Sequence, residues 1–414
     1  MVIHMYPRYL QKRLEAALAD TPVVLLTGAR QTGKSTLAQA YAAAKGAVYV
    51  TFDDPNVLAA AKDTVGFIKS LGERAVIDEV QRAPWLFTAV KLTVDRNRRP
   101  GRFLFTGSAN VLLVPQVSDS LAGRMEILQL WPLSQGEIYG RKERFIDVLF
   151  GNHDWSLRPQ EPQDDDIPEL LVRGGYPEMI GRVESTRREA WLVAYLRTLI
   201  ERDVRDLANI EGLVEMPRLL ALLAARTGAL MNLAEVSRAV GIPHTTLKRY
   251  LTLLQATFIL TPLPGWSGNL GKRLIKAPKV HFPDSAMAAY LARYDVHRLA
   301  EDRGFLGHLL ETFAVAELRK QAGWAKHNVD FYYYRTSTGQ EVDIVMEDRR
   351  GRLAGIEIKA SATLDTKDFA GLKAFADTAG KRFVGGILLY TGSDVLPFGK
   401  KLYAMPVSAL WRVS

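Results

Sequence analysis

Short apolar runs closed by small or charged residues punctuate the first third of the chain: Val23-Val24-Leu25-Leu26, 47–52, Arg74-Ala75-Val76-Ile77 and Phe103-Leu104-Phe105. Runs of this kind, with little polar alternation, are what strands show when both faces are covered, so they predict an open parallel sheet flanked by helices. Residues 9–18 read as an amphipathic helix entering the first run, and a second helical pattern leaves the loop that follows it. Further on, 185–207 carries apolar positions at Trp191, Leu192, Tyr195, Leu196, Leu199 and Ile200, the spacing of a long helix. Residues 232–251 read as helix, Gly241 turn and helix, and 258–263 as a strand behind them. The last third alternates a helix over 305–321, strands over 331–335, 340–346 and 353–359, a helix over 365–379 and a strand over 383–389. The fold class is α/β throughout. Between these patterns, 153–168 is polar, with Pro159, Pro162, Pro168 and Asp164-Asp165-Asp166; it reads as a surface loop, since consecutive carboxylates on a loop are not pre-organised for coordination.

The junction after the first run holds the sharpest chemistry. Gly28-Ala29-Arg30-Gln31-Thr32-Gly33-Lys34-Ser35-Thr36 has the glycine, lysine and hydroxyl spacing of a P-loop, with a strand before it and a helix after it. Glycines let backbone N–H groups turn toward phosphate oxygens, and the helix presents its positive end to them. Lys34 would reach the outer phosphates and Ser35 a Mg²⁺ ion, so ATP and Mg²⁺ are the expected ligands. The third run ends in Asp78-Glu79, the Walker B arrangement: Asp78 would hold Mg²⁺ through its water shell and Glu79 would deprotonate the attacking water. The fourth ends in Thr106-Gly107-Ser108-Ala109-Asn110, where Ser108 is a candidate sensor of the terminal phosphate and Thr106 and Asn110 are its rivals. Arg124, after a turn, is either an arginine finger reaching a neighbouring subunit's nucleotide or an ordinary salt-bridging arginine.

Composition narrows the partners. Among 414 residues there is no cysteine, which excludes disulfides, Cys-based zinc sites and thiol catalysis. The formal charge of +9 suits a protein that meets polyanions. No apolar run reaches the ~18 residues of a membrane span, and the first ten residues lack a signal-peptide core, so the expectation is a cytoplasmic protein without membrane contact. In the helix-turn-helix, His244, Thr245, Thr246, Lys248 and Arg249 lie at the exposed start of the second helix, suited to DNA phosphates and base edges; the alternative is a fold used for packing or subunit contacts. Near the C-terminus, Asp343 on one strand and Glu357-x-Lys359 on the next, with Glu311 on the preceding helix, form the set that Mg²⁺-dependent phosphodiester hydrolysis uses.

Together with Leu121-Ala122-Gly123-Arg124, Pro132-Leu133-Ser134, Arg173-Gly174-Gly175-Tyr176-Pro177-Glu178 and Glu201-Arg202-Asp203-Val204, these motifs resemble the bacterial and archaeal AAA+ ATPases that pair an AAA_14 domain with a DUF4143 region. The resemblance implies an AAA+ domain over 1–140, a linker and helical lid over 141–212, a winged helix over 213–285 and a DUF4143 region over 286–414 that looks like the PD-(D/E)XK nuclease fold, though Val342 stands where the name-giving proline would be. It also implies a lid arginine at the terminal phosphate, left open among Arg197, Arg202 and Arg205, and a homo-oligomer, a hexamer by analogy. The function expected is Mg²⁺-dependent ATP hydrolysis by an oligomer that binds and remodels or translocates on DNA, including branched DNA. The alternatives are a nucleotide-switched regulatory ATPase and an ATP-licensed structure-specific nuclease.

Overall fold

The structure, a computed structural model, describes residues 6–108, 121–151, 166–204, 214–269, 271, 273 and 276–413, without the side chains of Arg202 and Asp203. They form two units, one of Tyr6–Leu133 with Ala256–Phe258 and the other built from Ser134–Gln255 and Ile259–Ser414. Asn110 and Arg205, and with them the acids Asp164 and Asp165, lie outside the described residues.

The first unit runs α1 (Gln11–Asp20), β1 (Val23–Thr27), α2 (Lys34–Lys45), β2 (Val48–Thr51), β3 (Ala75–Asp78), α3 (Leu86–Arg96), β4 (Phe103–Gly107) and β5 (Met125–Gln129), with shorter helices between β2 and β3. Its sheet has the order β2-β3-β4-β1-β5, every pair parallel. Strand residues alternate faces, and the two cores follow that alternation. Val23, Leu25, Ile77, Phe103 and Phe105 meet Phe67, Leu86, Phe87 and Val90 on one side. Val24, Leu26, Val76 and Leu104 meet Leu14, Leu18, Leu37 and Ala38 on the other. This is why β1 and β4 read as unbroken apolar runs: every residue of each is buried. β5 escaped the sequence reading because it is an edge strand, Met-Glu-Ile-Leu-Gln, mostly half-buried and with polar residues interspersed.

The second unit contains α4 (Gln135–Tyr139), α5 (Phe145–Phe150), α6 (Ser185–Thr198), α7 (Met216–Ala225), α8 (Leu233–Val240), α9 (His244–Ala256), α10 (Arg303–Ala322), β6 (Val329–Arg335), β7 (Glu341–Asp348), β8 (Leu353–Lys359), α11 (Ala370–Ala379), β9 (Phe383–Tyr390), β10 (Leu396–Gly399) and β11 (Leu402–Pro406), among other short helices. Its mixed sheet has the order β10-β11-β9-β8-β7-β6. One core of this unit gathers Leu372 and Phe375 of α11 with Val342, Leu388 and the buried Trp266, whose ring meets Phe375 edge-on at 5.4 Å.

α8 and α9 take the helix-turn-helix path, with Gly241 in the left-handed region at φ 82° to end α8. The strand expected over 258–263 is not continuous. Thr261 donates to His281 O (2.8 Å) and Leu263 exchanges two hydrogen bonds with Lys279 (3.0 and 2.9 Å), while Val280 pairs with the 228–229 segment (2.7 and 3.0 Å). Segments 228–231, 278–281 and 261–263 therefore pair as a miniature antiparallel sheet, the first joining α7 to α8 and the last following α9 along the chain. Beyond it, Trp266 N donates to Tyr333 O and Tyr333 N to Pro264 O, which attaches this stretch to β6.

Two of the motifs that carry the resemblance turn out to be joints of this unit. Ser134 and Glu137 form a reciprocal capping box at the start of α4 (3.0 and 3.2 Å), and the N–H of Gln135 donates to the buried Glu317 of α10 at 2.9 Å. Gly175 N donates to the buried Asp284 at 2.7 Å, and a Cβ at Gly174 would lie 2.4 Å from that carboxylate. Among the described residues no helix is long and apolar enough to cross a membrane.

Candidate nucleotide site and a second acidic centre

Because all five strands of the first sheet are parallel, the C-terminal ends of β1, β3 and β4 share one edge, and the polar residues that close each apolar run converge there. Gly28 leaves β1 with φ 151°, and a Cβ on it would stand 2.1 Å from the carbonyl oxygen of Leu130, so only glycine fits. Gly33, at φ 92°, begins α2 and has no side chain with which to cap it, so the first-turn N–H groups of the helix face outward for an anion. Lys34, 4% exposed, donates to Gly28 O (2.9 Å) and Ala29 O (2.7 Å), which lays its ammonium along the inside of the loop. Thr32 closes the loop on Ala29 O at 3.0 Å, and Gln31 adopts φ 60°. Within the motif Arg30 is half-buried and Thr36 is exposed.

Asp78 receives three hydroxyls: Ser35 (3.0 Å), Tyr49 (2.8 Å) and Thr106, the last a very short contact. Burial, and then the Asp78 carboxylate it donates to, hold the Tyr49 phenol well above its ordinary value, so it stays a donor. Glu79 sits at φ 56°, a left-handed backbone that costs a non-glycine residue roughly 1–2 kcal/mol. Its N–H donates to Thr106 Oγ1 at 3.1 Å, and its carboxylate accepts from Ser108 Oγ at 3.1 Å and from Gln81. Gln81 also donates to Ser108 at 3.0 Å. A strained turn held by three side chains thus aims the Glu79 carboxylate. Ser108 and its rival Thr106 both belong to the site: Thr106 bridges the Asp78 carboxylate and the Glu79 N–H, and Ser108 meets the Glu79 carboxylate. Tyr49 and Gln81 went unnoticed, although their places, mid-strand beside β3 and two residues past Glu79, were the available signal.

Arg124 lies at the other edge of the sheet. It precedes β5, whose Met125 pairs with Val23 at the start of β1, and its guanidinium forms a two-pronged pair with Asp95 (2.5 and 3.1 Å). Hydrogen bonding from Arg124 holds the Asp95 carboxyl below its ordinary value. Within one chain, then, Arg124 is remote from the P-loop. Arg197, on α6, is exposed and pairs with Glu201 at 3.2 Å. On α9, His244, Thr245, Lys248 and Arg249 are exposed and Thr246 half-buried, while Leu247 and Tyr250 face inward.

The C-terminal acids are also brought together, but around a residue the sequence reading missed. Asp343 and Glu357 flank the Ile344–Ile356 pair of β7 and β8, and Ile358 N donates to Asp343 at 3.0 Å. Into this centre comes Lys279 from the miniature sheet, its Nζ 2.9 Å from Glu311, 2.6 Å from Glu341 and 3.1 Å from Asp343. Burial pulls that ammonium down, but Asp343, Glu311 and Glu341 outweigh it and hold the lysine above its ordinary value. Burial, reinforced by Asp343, pushes Glu311 and Glu357 well up. Lys359, expected at the scissile phosphate, instead pairs with Asp368 at 2.6 Å. Nothing in local sequence could have announced Lys279, which lies 64 residues from Asp343.

An AAA-domain family model, AAA_14, matches residues 20–139, and two domains of unknown function, DUF8612 and DUF4143, match 164–298 and 306–410. An uncharacterized protein of Mycobacterium tuberculosis and one of Mycobacterium bovis are each 31% identical over 400 residues, spanning 96% of this chain and 83% of the relative. Among solved structures, a Walker-type ATPase of Pyrococcus abyssi aligns over 70% of this chain and 99% of its own (TM-score 0.44, 15% identity). AMPPCP-bound DnaA of Aquifex aeolicus aligns over 59% and 85% (TM-score 0.30, 17% identity). With relatives of that identity over nearly its whole length and the P-loop geometry at the sheet edge, the chain belongs to the AAA-type ATPase family that joins an AAA_14 domain to a DUF4143 region.

Proposed function

We propose that this protein is a Mg²⁺-dependent ATPase that works as an oligomer on DNA, remodelling it or moving along it. The observation that carries the hydrolytic part is the convergence at one sheet edge of the glycine-built loop with Lys34, the Ser35–Asp78 contact and the braced Glu79. ATP with Mg²⁺ supplies the transferable phosphoryl group and neutralises its charge. The first-turn amides of α2 and Lys34 bind the phosphates, and Ser35 and Asp78 hold the metal. Glu79 orients a water molecule and takes its proton, while Gln81 and Ser108 keep the carboxylate aimed. Arg124, remote from its own P-loop, serves a neighbouring subunit's site, which makes turnover depend on assembly.

The DNA reading rests on the net charge of +9 and on α9, where His244, Thr245, Lys248 and Arg249 are exposed at the start of the second helix of a helix-turn-helix. Three helices and a three-stranded miniature sheet support a winged-helix assignment for this part of the chain.

Steady-state ATP hydrolysis at low salt, without nucleic acid, with linear duplex and with a four-way junction, tests the proposal, with Glu79→Gln as the blank. Stimulation by DNA, greatest with the junction, is expected. Equal turnover in all three would replace the DNA-remodelling reading with a nucleotide-switched regulator. Specific activity is also expected to fall on dilution, and activity that stays constant down to monomer concentrations would remove Arg124 from the trans role.

A further inference from the structure

The C-terminal module resembles a nuclease fold that uses a divalent cation, and its acids can be tested for whether they suit one. Mg²⁺ asks for six oxygen ligands in near-octahedral array at about 2.0–2.1 Å. Here Glu311, Glu341 and Asp343 close on a single nitrogen at 2.9, 2.6 and 3.1 Å, which are lengths of charge-assisted N–H···O bonds. An ammonium has three hydrogens, and three carboxylates take them. Among the described residues, no group of three or more His, Asp or Glu side chains is arranged to hold a metal ion.

Lys279 is not a long surface side chain that has strayed into the centre. It is 3% exposed, and its backbone exchanges hydrogen bonds with Leu263 in both directions while also bridging Leu230. Its neighbour His281, fully buried, faces Glu311 at 3.5 Å and Thr312 at 3.0 Å, and Thr312 in turn contacts Thr227 at 2.7 Å. The segment carrying the lysine is therefore fastened on both sides of the strand. Lys359, the cation such chemistry would need at the phosphate, is held by Asp368.

We propose that the Lys279 ammonium permanently takes the place of a divalent cation in the DUF4143 region, so that this centre binds no metal, cleaves no nucleic acid, and instead locks the 278–281 segment to α10 and β7. A metal entering beside Lys279 would meet a fixed positive charge at contact distance, and Glu311, Glu341 and Asp343 already have their partner. This reading is independent of what the P-loop does.

The test is Mn²⁺ binding to the full-length, nucleotide-free chain, followed by the resonance of the free ion, in an Asp78→Ala background that silences the P-loop metal site. With Lys279 present, no Mn²⁺ is expected to bind at the C-terminal centre. Lys279→Ala is expected to gain one Mn²⁺ per chain, at least 100-fold tighter, and Lys279→Ala with Asp343→Ala to lose it again. Mn²⁺ bound with Lys279 in place and removed by Asp343→Asn, or metal-dependent nicking that Asp343→Ala abolishes, would overturn the proposal. So would a folded Lys279→Ala chain that gains no Mn²⁺. Should Lys279→Ala fail to fold, Lys279→Met with Glu311→Gln removes one charge of each sign and is expected to restore folding; failure to do so counts against the lock.

Discussion

Two centres in this chain bring a lysine and several carboxylates into buried space, and they are wired in opposite ways. At the sheet edge of the first unit, Lys34 donates to the loop carbonyls of Gly28 and Ala29, and Asp78 is met by the hydroxyls of Ser35, Tyr49 and Thr106. In the second unit Lys279 donates to the acids themselves. Hydroxyls and loop carbonyls are neutral partners, so an incoming cation or phosphate can take their place without stranding a buried charge. A lysine bound to three carboxylates cannot be displaced so cheaply, because the acids, the buried Glu311 above all, would be left without their partner. The first arrangement is poised for a ligand, whereas in the second Lys279 satisfies Glu311, Glu341 and Asp343 from within. Residue types alone, a lysine with acids, describe both.

The comparison breaks most readily at Glu79. Glu79→Gln is expected to lower kcat for ATP by about 10²–10⁴-fold, the usual contribution of a positioned general base, while nucleotide binding stays within a few-fold. Lys34→Ala is expected to lose binding itself. Steady-state hydrolysis beside a fluorescent-nucleotide titration reads both, and wild-type turnover in the Gln variant would sink the assignment.

Next in size is the lock. Lys279→Ala strands Glu311, Glu341 and Asp343, and breaking a buried pair costs about 3–5 kcal/mol. Hydrogen exchange of the β7 amides measures it locally, without assuming that the two units unfold together. Unchanged protection would mean that Lys279 is incidental to the second centre.

A buried acid outside both centres sharpens the contrast. Glu143 is 2% exposed, accepts from Gly136 N at 2.7 Å and has a second oxygen without a partner. Burial, and then the charge of Glu317, push it up to about 8 from 4.5. The folded state therefore holds this proton more tightly than the unfolded chain. Stability from this group is full below pH 4.5, falls as pH rises toward about 8, and is flat above that. The loss is on the order of 5 kcal/mol, and Glu143→Gln is expected to flatten that part of the pH profile of unfolding. An unchanged slope in the Gln variant would assign the pH dependence to other groups.

The smallest effect concerns aim rather than chemistry. Gln81→Ala or Ser108→Ala removes one of the two side chains on the Glu79 carboxylate, and each is expected to lower kcat about tenfold, or ~1.4 kcal/mol, with KM nearly unchanged. A rise in KM at constant kcat would instead make them nucleotide contacts.

Much of the first unit was legible because its signals are local. The buried runs of β1, β3 and β4, Gly28 and Gly33 at positions where a side chain clashes or the backbone turns left-handed, and Asp78-Glu79 at a strand end all lie within a few residues of the feature they specify. β5 was missed because a half-buried edge strand need not carry an apolar run. Over 258–263 an apolar run did mislead: Ile259 and Leu260 are buried, yet only Thr261 and Leu263 pair as strand residues.

By itself, then, the sequence determined the parallel α/β layer, the phosphate loop and the carboxylates placed to serve it, since strand burial, glycine backbone freedom and helix starts are properties of contiguous residues. The tertiary structure alone decided which partner each acid received. Tyr49 reaches Asp78 across 29 residues, Gln135 meets Glu317 across 182, and Lys279 closes on acids 32 and 64 residues away. Charge pairing depends on distance in space and on exclusion of water, and neither is written in the order of residues along the chain.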